Sequence, residues 1–319
     1  MRKIALRFRL CVFVLATGCT GAALGQPSAE PLAEAHALLA AGQLSKSESS
    51  IRAYMREHQD SADAHFLLGY VLFREKEPKE SLAEFTSGAK FRRPGVQELE
   101  TVASDYVLLG DFADADKWFS EVTAQSPTDA HAWYLLGRTK YNEGRYDEAA
   151  SSFEKALALH PRDVEAENNL GLSLRELNKL TEARAAFQAA IDWQGSAPAD
   201  AQPYLNLGSL LAEQGELDKA IPLLVKAVNM SPENPTTHEQ LGKAYEEQKE
   251  LSKAQSELET AVKLAPDISA LHYKLGEIYR KQKMRELAQR EFEICAKLNS
   301  THSSNTTPNP FQPVPSEPK

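Results

Sequence analysis

The sequence predicts an all-α protein in which helical hairpins stack into a superhelix without one central core. A pattern of residues recurs about every 34 positions through most of the 319-residue chain. Each copy holds two stretches whose apolar residues are spaced three or four apart, as on one face of a helix. Glycine or proline separates these stretches. Repeats of this length bury their apolar faces only against neighbouring copies, so we expect the chain to grow along one axis.

The fourth copy of the pattern shows its elements most clearly. Trp133 stands at position 4 and Gly137 at position 8 of a first helix, and Phe153 stands at position 24, in a second helix. Gly144 lies between the two helices, where a residue without a Cβ atom turns freely. This stretch is therefore predicted to be one helical hairpin.

Small residues recur in phase along the chain. Position 8 is glycine in five successive copies, at steps of 34, 37, 34 and 34 residues: Gly137, Gly171, Gly208, Gly242 and Gly276. Position 20 is alanine in the same copies: Ala149, Ala183, Ala220, Ala254 and Ala288. The long step reflects a three-residue insertion within 196–200. We expect these small residues to let helices approach closely, while the large residue at position 24 fills the space between hairpins.

The phase extends towards the amino terminus through weaker copies, because terminal repeats have one face in water and are atypical. It defines eight units, at 28–61, 62–95, 96–129, 130–163, 164–200, 201–234, 235–268 and 269–302. Outside them lie a leader at 1–25 and a polar, Pro-rich tail at 303–319, which is predicted to be disordered.

The fourth unit resembles the tetratricopeptide repeat (TPR) family. The residues that match the family pattern W-x2-L-G…A-x3-F…P are Trp133, Leu136, Gly137, Ala149, Phe153 and Pro161. The resemblance implies a right-handed α-solenoid of about eight TPR helix-turn-helix hairpins, with the first helices lining a concave groove. It also implies that the groove binds protein or peptide segments.

In proteins that resemble this one, positions 2, 5, 6, 9, 12 and 13 of the first helices face the groove. The resulting candidates for peptide binding are Tyr134, Arg138, Tyr141, Asn169, Arg175, Asn206, Gln240, Lys243 and Tyr273. Because they mix aromatic rings, amides and both signs of charge, they predict no single class of ligand.

Position 6 carries a side-chain amide in three successive units, at Asn169, Asn206 and Gln240. An amide has a donor and an acceptor, so it can pair with a peptide backbone in both senses. One hypothesis is a ladder of amides that holds an extended peptide. The alternative is that asparagine is simply common at this position of the repeat.

The sequence contains no motif for catalysis or for a metal. It has no phosphate-cradling glycine loop, no H-E-x-x-H and no G-x-S-x-G. His65, His238 and His272 fall at position 4 and are predicted to pack where other units have a large residue. Beyond the leader the only cysteine is Cys295, which cannot form a disulfide or a cysteine-based metal site within one chain.

We therefore expect a non-catalytic scaffold that needs no cofactor and no metal. Two alternatives stay open at this point. In the first, the chain is a substrate-recruiting subunit of a glycosyltransferase or protease complex. In the second, it is a self-assembling structural element, because the edge of the last repeat is a candidate surface for self-association.

The leader has the order of an export signal, with a basic start, an apolar run over 10–16 and small residues after it. The run is much shorter than the ~20 residues that span a bilayer. Cleavage after Gly25 is favoured, since small residues precede it. A lipobox ending in Cys19 is the alternative, and it departs from the usual pattern by having Ala16 three places before the cysteine. Both place the body outside the cytoplasm, in the periplasm or secreted, with lipid on Cys19 as the only membrane anchor.

The charge of the body argues against nucleic acid as a partner. The whole chain carries a net charge of −9, and the leader contributes four of the 36 basic residues and none of the 45 acidic ones. The body therefore has a net charge near −13, which repels phosphate backbones and anionic lipid.

Overall fold

The computed structural model describes residues 32–305, with side chains described to residue 300. The leader with Cys19 and the tail from residue 306 lie outside the described residues. The sixteen helices of the described range form eight hairpins. Their bounds are α1 Ala33–Ala40, α2 Leu44–Met55, α3 Ala62–Arg74, α4 Pro78–Gly88, α5 Val96–Leu109, α6 Phe112–Gln125, α7 Ala130–Asn142, α8 Tyr146–Leu159, α9 Val164–Glu176, α10 Leu180–Trp193, α11 Gln202–Glu213, α12 Leu217–Met230, α13 Pro235–Glu247, α14 Leu251–Leu264, α15 Ser269–Lys281 and α16 Arg285–Asn305.

The helices stack in chain order, which confirms the predicted all-α superhelix. Each helix packs on the one before it and the one after it. First helices of consecutive hairpins also contact one another, as in α3 with α5, α7 with α9, α9 with α11 and α11 with α13. These contacts place the first helices on the inner side of the curve, so their shared surface is the concave one.

Within each hairpin, the two helices meet where position 8 faces position 24. A Cβ atom added to Gly137 would lie 2.7 Å from the ring of Phe153, so this site has room for a hydrogen only. The same close approach joins Gly69 to Phe85, Gly171 to Phe187, Gly208 to Leu224, Gly242 to Leu258 and Gly276 to Phe292. The position-20 alanines are at most 4% exposed. The short distance between the two helices of a hairpin therefore explains both the glycines at position 8 and the alanines at position 20.

The first two hairpins have serine in place of alanine at position 20, and the serine hydroxyl bonds to the facing helix. Ser47 Oγ donates to the carbonyl of Ala35, and Ser81 Oγ donates to the carbonyl of Gly69, both at 2.8 Å. Ile51 fills position 24 of the first hairpin and is fully buried. The first hairpin is thus closer to the repeat pattern than its sequence indicates.

The seam between consecutive hairpins is closed by a hydrogen bond from position 4. Trp133 Nε1 donates to the carbonyl of Pro127, which is position 32 of the preceding unit, at 2.9 Å. Nε2 of His272 lies at the same distance from the carbonyl of Pro266. His238 and His65 repeat this contact at 2.9 and 3.2 Å. The position-4 histidines therefore pack as predicted and also tie neighbouring hairpins together.

Each of these histidines makes a second contact through Nδ1, to a glutamate at position 23 of its own unit. The distances are 2.7 Å to Glu84, 2.7 Å to Glu257 and 2.6 Å to Glu291. Tryptophan cannot make this contact, because its indole has one nitrogen.

The insertion near residue 196 leaves the stacking undisturbed. Gln194 Oε1 accepts from the backbone N–H groups of Ala199 and Asp200 at 3.0 and 2.7 Å, and its Nε2 donates to the carbonyl of Asp200 at 3.1 Å. One side chain thus closes the extra residues into a compact loop between α10 and α11.

The start of the tail differs from the sequence prediction. Helix α16 extends to Asn305, so residues 303–305 are helical and the predicted boundary at residue 303 was too early. Polar residues such as serine and asparagine do not stop a helix that a preceding turn has already nucleated.

A buried carboxyl group lies between the second and third hairpins. Asp105 is fully buried, and its Oδ2 lies 2.5 Å from Ser81 Oγ. Ser81 has one hydroxyl hydrogen and also lies 2.8 Å from the carbonyl of Gly69. If that hydrogen goes to the carbonyl, the short contact needs a hydrogen on Asp105. Burial raises the pKa of Asp105 from 3.8 to about 7, which agrees with a protonated carboxyl.

We expect Asp105→Asn to weaken the pH dependence of stability. Between pH 4 and 7 the folded chain binds this proton and the unfolded chain does not, so the free energy of unfolding falls as pH rises through that range. The loss between pH 4 and 8 should be smaller in the variant, by an amount on the order of 3 kcal/mol. Urea titrations at both pH values measure it. Exposed Asp147→Asn is the matched control, and an equal change there would contradict the assignment.

We expect His272→Phe to lower the free energy of unfolding by about 1–3 kcal/mol, because it leaves Glu291 and the Pro266 carbonyl without their partner. His272→Trp should lose less, since indole can restore the bond to the carbonyl as Trp133 does. Thermal and urea unfolding compare the two variants. Equal losses for both would show that the carbonyl bond does not hold this seam.

Candidate peptide-binding groove

All nine residues predicted for the groove lie on first helices, namely α7, α9, α11, α13 and α15. The structure brings some of them together and separates others. They cluster most closely in the middle of the surface, between α7 and α9.

Three of the predicted residues meet between the fourth and fifth hairpins. Asn169 Nδ2 donates to the backbone carbonyl of Glu165 at 2.9 Å and, at 3.5 Å, to the hydroxyl of Tyr134. Tyr134 in turn donates to the Glu165 carboxylate at 3.1 Å. The Arg138 guanidinium lies 5.7 Å from the centre of the Tyr134 ring. Burial raises the pKa of Tyr134, so this phenol keeps its proton and can go on donating.

A common register links position 6 of one hairpin to position 5 of the hairpin before it. In each linked pair the position-6 side chain is the donor. The pairs are Asn169 with Tyr134, Asn206 with Asn168 at 2.8 Å, and Lys274 with Glu239. Position 5 before Gln240 is the apolar Leu205, and within residues 32–300 the side chain of Gln240 makes no hydrogen bond.

This register changes the amide-ladder hypothesis. Asn169 Nδ2 already donates to Glu165 of its own helix and to Tyr134 of the preceding hairpin, and Asn206 Nδ2 donates one hydrogen to Asn168 of the preceding hairpin. Within the described residues no donor reaches their side-chain oxygens. Asn169 therefore offers an acceptor to a bound backbone, whereas Asn206 and Gln240 each offer an acceptor and a donor.

Tyr141 and Arg175 lie further along the same helices, near each other. The Tyr141 ring meets Tyr146 edge-on, with ring centres 5.3 Å apart. Burial is the main cause that raises the pKa of Tyr141, and the negative charge of Glu176 adds to it. Arg175 lies 3.5 Å from Glu176, a long and weak contact that leaves its guanidinium free for a ligand.

The carboxyl-terminal part of the groove carries ion pairs between α13 and α15. Lys281 Nζ lies 2.5 Å from Glu246, and Lys274 pairs with Glu239. Lys243, predicted for the groove, has no partner among the side chains described to residue 300. Tyr273 is 53% exposed and touches Phe292 with ring centres 5.7 Å apart. Lys243 and Tyr273 are therefore the predicted groove residues at this end that no described ion pair occupies.

The amino-terminal part of the groove holds a cavity that was not predicted from the sequence. Its volume is about 900 Å³, and α1, α3 and α5 line it with position-5 and position-9 side chains that include Phe66, Tyr70 and Glu100. A smaller cavity of about 230 Å³ lies beside Tyr134 and His160. A signal for the larger one exists in the sequence: Leu32 and Phe66 put apolar side chains at position 5, where a solvated groove has polar ones. The weak repeat pattern of these units hid it.

Neither a metal-binding cluster nor a bilayer-spanning helix occurs in the part of the chain that the structure describes. Between residues 32 and 305, no group of three or more His, Cys, Asp or Glu side chains is placed to hold a metal ion. In the same range, none of the helices has the length and apolar character to cross a bilayer. Cys295 is a free thiol.

Comparison with known proteins places the repeat in a family. A family model described as tetratricopeptide repeat matches residues 32–95, 103–149 and 134–201, and a second model of that description matches 211–278.

Two curated relatives match part of the chain. The chain is 30% identical over 188 residues to Protein O-mannosyl-transferase TMTC1 of Homo sapiens. The matched region covers 57% of this chain and 21% of that protein. It is also 30% identical over 124 residues to Protein FlbA of Caulobacter vibrioides. That matched region covers 39% of this chain and 20% of that protein. The chain therefore spans about a fifth of the length of these relatives.

Solved structures share the fold. A tetratricopeptide repeat protein from Parabacteroides merdae superposes with a TM-score of 0.63 at 21% identity, over 78% of this chain and 97% of that one. The APC/C hetero-tetramer Cut9-Hcn1 gives a TM-score of 0.60 at 18% identity, over 87% of this chain and 54% of that one. Since the stacked hairpins, the position-8 contacts and the family models agree, the chain belongs to the tetratricopeptide repeat family.

Proposed function

We propose that this protein is a non-catalytic scaffold that binds an extended protein segment in its concave groove and serves the assembly of a cell-envelope complex. The observation that carries the proposal is the cluster of Tyr134, Arg138 and Asn169. It presents an aromatic face, a cation and a free amide oxygen side by side on the inner surface. A peptide backbone can donate to the amide oxygen, and an apolar or acidic side chain fits the rest.

The leader supports the cellular part of the proposal. Its basic start, short apolar run and small residues are typical of export, so we propose an extracytoplasmic location, with a lipid on Cys19 as the alternative to a soluble form.

A second candidate function is the recruitment of substrate to a transferase. The similarity to Protein O-mannosyl-transferase TMTC1 favours it over other enzyme partners. On this alternative, the groove holds the substrate protein and another part of the system performs the reaction. Transferase activity from the purified chain alone would contradict a non-catalytic role.

Site-directed crosslinking can test the groove as the binding surface. The full chain, with its leader and a carboxyl-terminal tag, would carry the photoreactive residue p-benzoylphenylalanine in place of Arg138 or Tyr273. We expect both positions to capture the same protein in the envelope fraction. The same residue at Glu154, exposed on the second helix α8, is the control. Equal capture from Glu154 would place binding outside the groove.

We expect the double variant Arg138→Ala, Asn169→Ala to lower the affinity for the captured partner at least tenfold, because two polar anchors of one cluster are lost. Calorimetry with the purified partner measures the change. Glu182→Ala, at an exposed position of α10, should leave the affinity unaltered. Circular dichroism melting checks that the double variant still folds, and unchanged binding by a folded variant would remove the cluster from the site.

A further inference from the structure

The amino-terminal cavity has an apolar floor and a polar rim. We define it by the side chains used below: Tyr54, Phe66, Tyr70, Arg92, Glu98 and Glu100. Its volume of about 900 Å³ is large enough for two or three side chains of a bound segment.

The floor is built by a close approach between position 5 and a glycine at position 27. Position 27 of the second hairpin is Gly88, and a Cβ atom there would lie 2.6 Å from the ring of Phe66. The fourth to eighth units have alanine or cysteine at this position. Phe66 therefore packs against the backbone of α4, with its ring centre 5.9 Å from that of Phe85. Phe66 is 4% exposed and supports the floor from below, whereas Tyr54 and Tyr70 are half-buried and present ring surface to the cavity.

Two of the acidic groups at the rim are already neutralised. Arg92 lies 3.1 Å from Asp63 and 2.9 Å from Glu98, and its guanidinium carbon is 4.6 Å from the centre of the Phe66 ring. Arg92 is thus committed to these partners. It is not available to bind an anionic ligand.

Glu100 is the rim carboxylate without such a partner. No hydrogen bond reaches its side chain within the described residues, and the nearest basic group is His131 Nε2 at 3.8 Å. The side chain is 29% exposed, and burial raises its pKa. A half-buried carboxylate that has lost water without gaining a donor is stabilised by a cation that binds beside it.

We propose that the amino-terminal cavity binds a segment of a partner protein in which an aliphatic or aromatic side chain lies a few residues from a lysine or arginine. The apolar side chain would lie against Tyr54 and Tyr70, above the buried ring of Phe66, and the basic one would pair with Glu100. The net charge of the body, near −13, favours a basic segment over an acidic one. This inference rests on the proposed function, because it specifies what the first three hairpins add to binding in the groove.

The test uses the full chain and two pools of capped ten-residue peptides. Each peptide of the first pool has one Leu, Phe or Tyr and, one to four positions away, one Lys, in a background of Gly and Ser. The matched pool has Glu in place of Lys. Affinity selection followed by fluorescence polarisation should retain peptides of the first pool only. Glu100→Gln should weaken the best peptide about tenfold, as expected for loss of a charged partner. Tyr70→Ala should weaken it by a similar factor.

Glu167→Gln is the matched control, since Glu167 is also a half-buried carboxylate whose pKa burial raises, but it lies on α9. It should bind the peptide like the unmodified chain. Retention of the Glu pool, or equal binding by the Glu100→Gln and unmodified chains, would overturn the inference. The groove proposal would survive either result if crosslinking from Arg138 and Tyr273 still captures a partner. Absence of that capture would instead end the proposed function.

Discussion

The close approach of the two helices in each hairpin is the constraint on which the rest of the structure depends. At position 8, six hairpins have glycine against a large side chain at position 24, and a Cβ atom added to any of these glycines would lie 2.6 to 2.9 Å from that side chain. One hairpin of about 30 residues buries too little apolar surface to offset the entropy of ordering it. The interlocked pair makes each hairpin a unit with a fixed shape, and units of fixed shape can stack in phase. The groove exists because that phase is maintained.

The inner surface also contains hydrogen bonds that connect neighbouring hairpins. Side chains at position 6 donate to side chains at position 5 of the preceding unit, so the residues proposed to bind a ligand also hold the inner surface together. A partner that binds at Asn169 therefore meets a surface already fixed by contacts of its own, and loses little affinity to ordering it. The outer seams work differently, through a ring nitrogen at position 4 and a backbone carbonyl at position 32.

Most of the fold could be predicted from the sequence, and much of the site could not. The period, the glycines at position 8 and the alanines at position 20 follow directly from helix packing. The packing roles of Gly137 and Ala149 could therefore be predicted without a structure. The histidines at position 4 were assigned to packing, but their bonds to the carbonyls of Pro232 and Pro266 depend on the neighbouring hairpin and leave no local signal. The cavity at Phe66 was missed because serine replaces alanine at position 20 in that hairpin, which weakened the repeat pattern.

The loop at residues 196–200 shows where this architecture tolerates a change in chain length. Asn206 contacts Asn168 across 38 residues, whereas Asn169 contacts Tyr134 across 35, and both contacts lie in the same register. The three additional residues have been absorbed on the rim of the molecule, and the inner surface is continuous past them. A junction of this kind is a natural point for inserting an epitope or a fluorophore, since a label there would report on the protein without entering the inner surface.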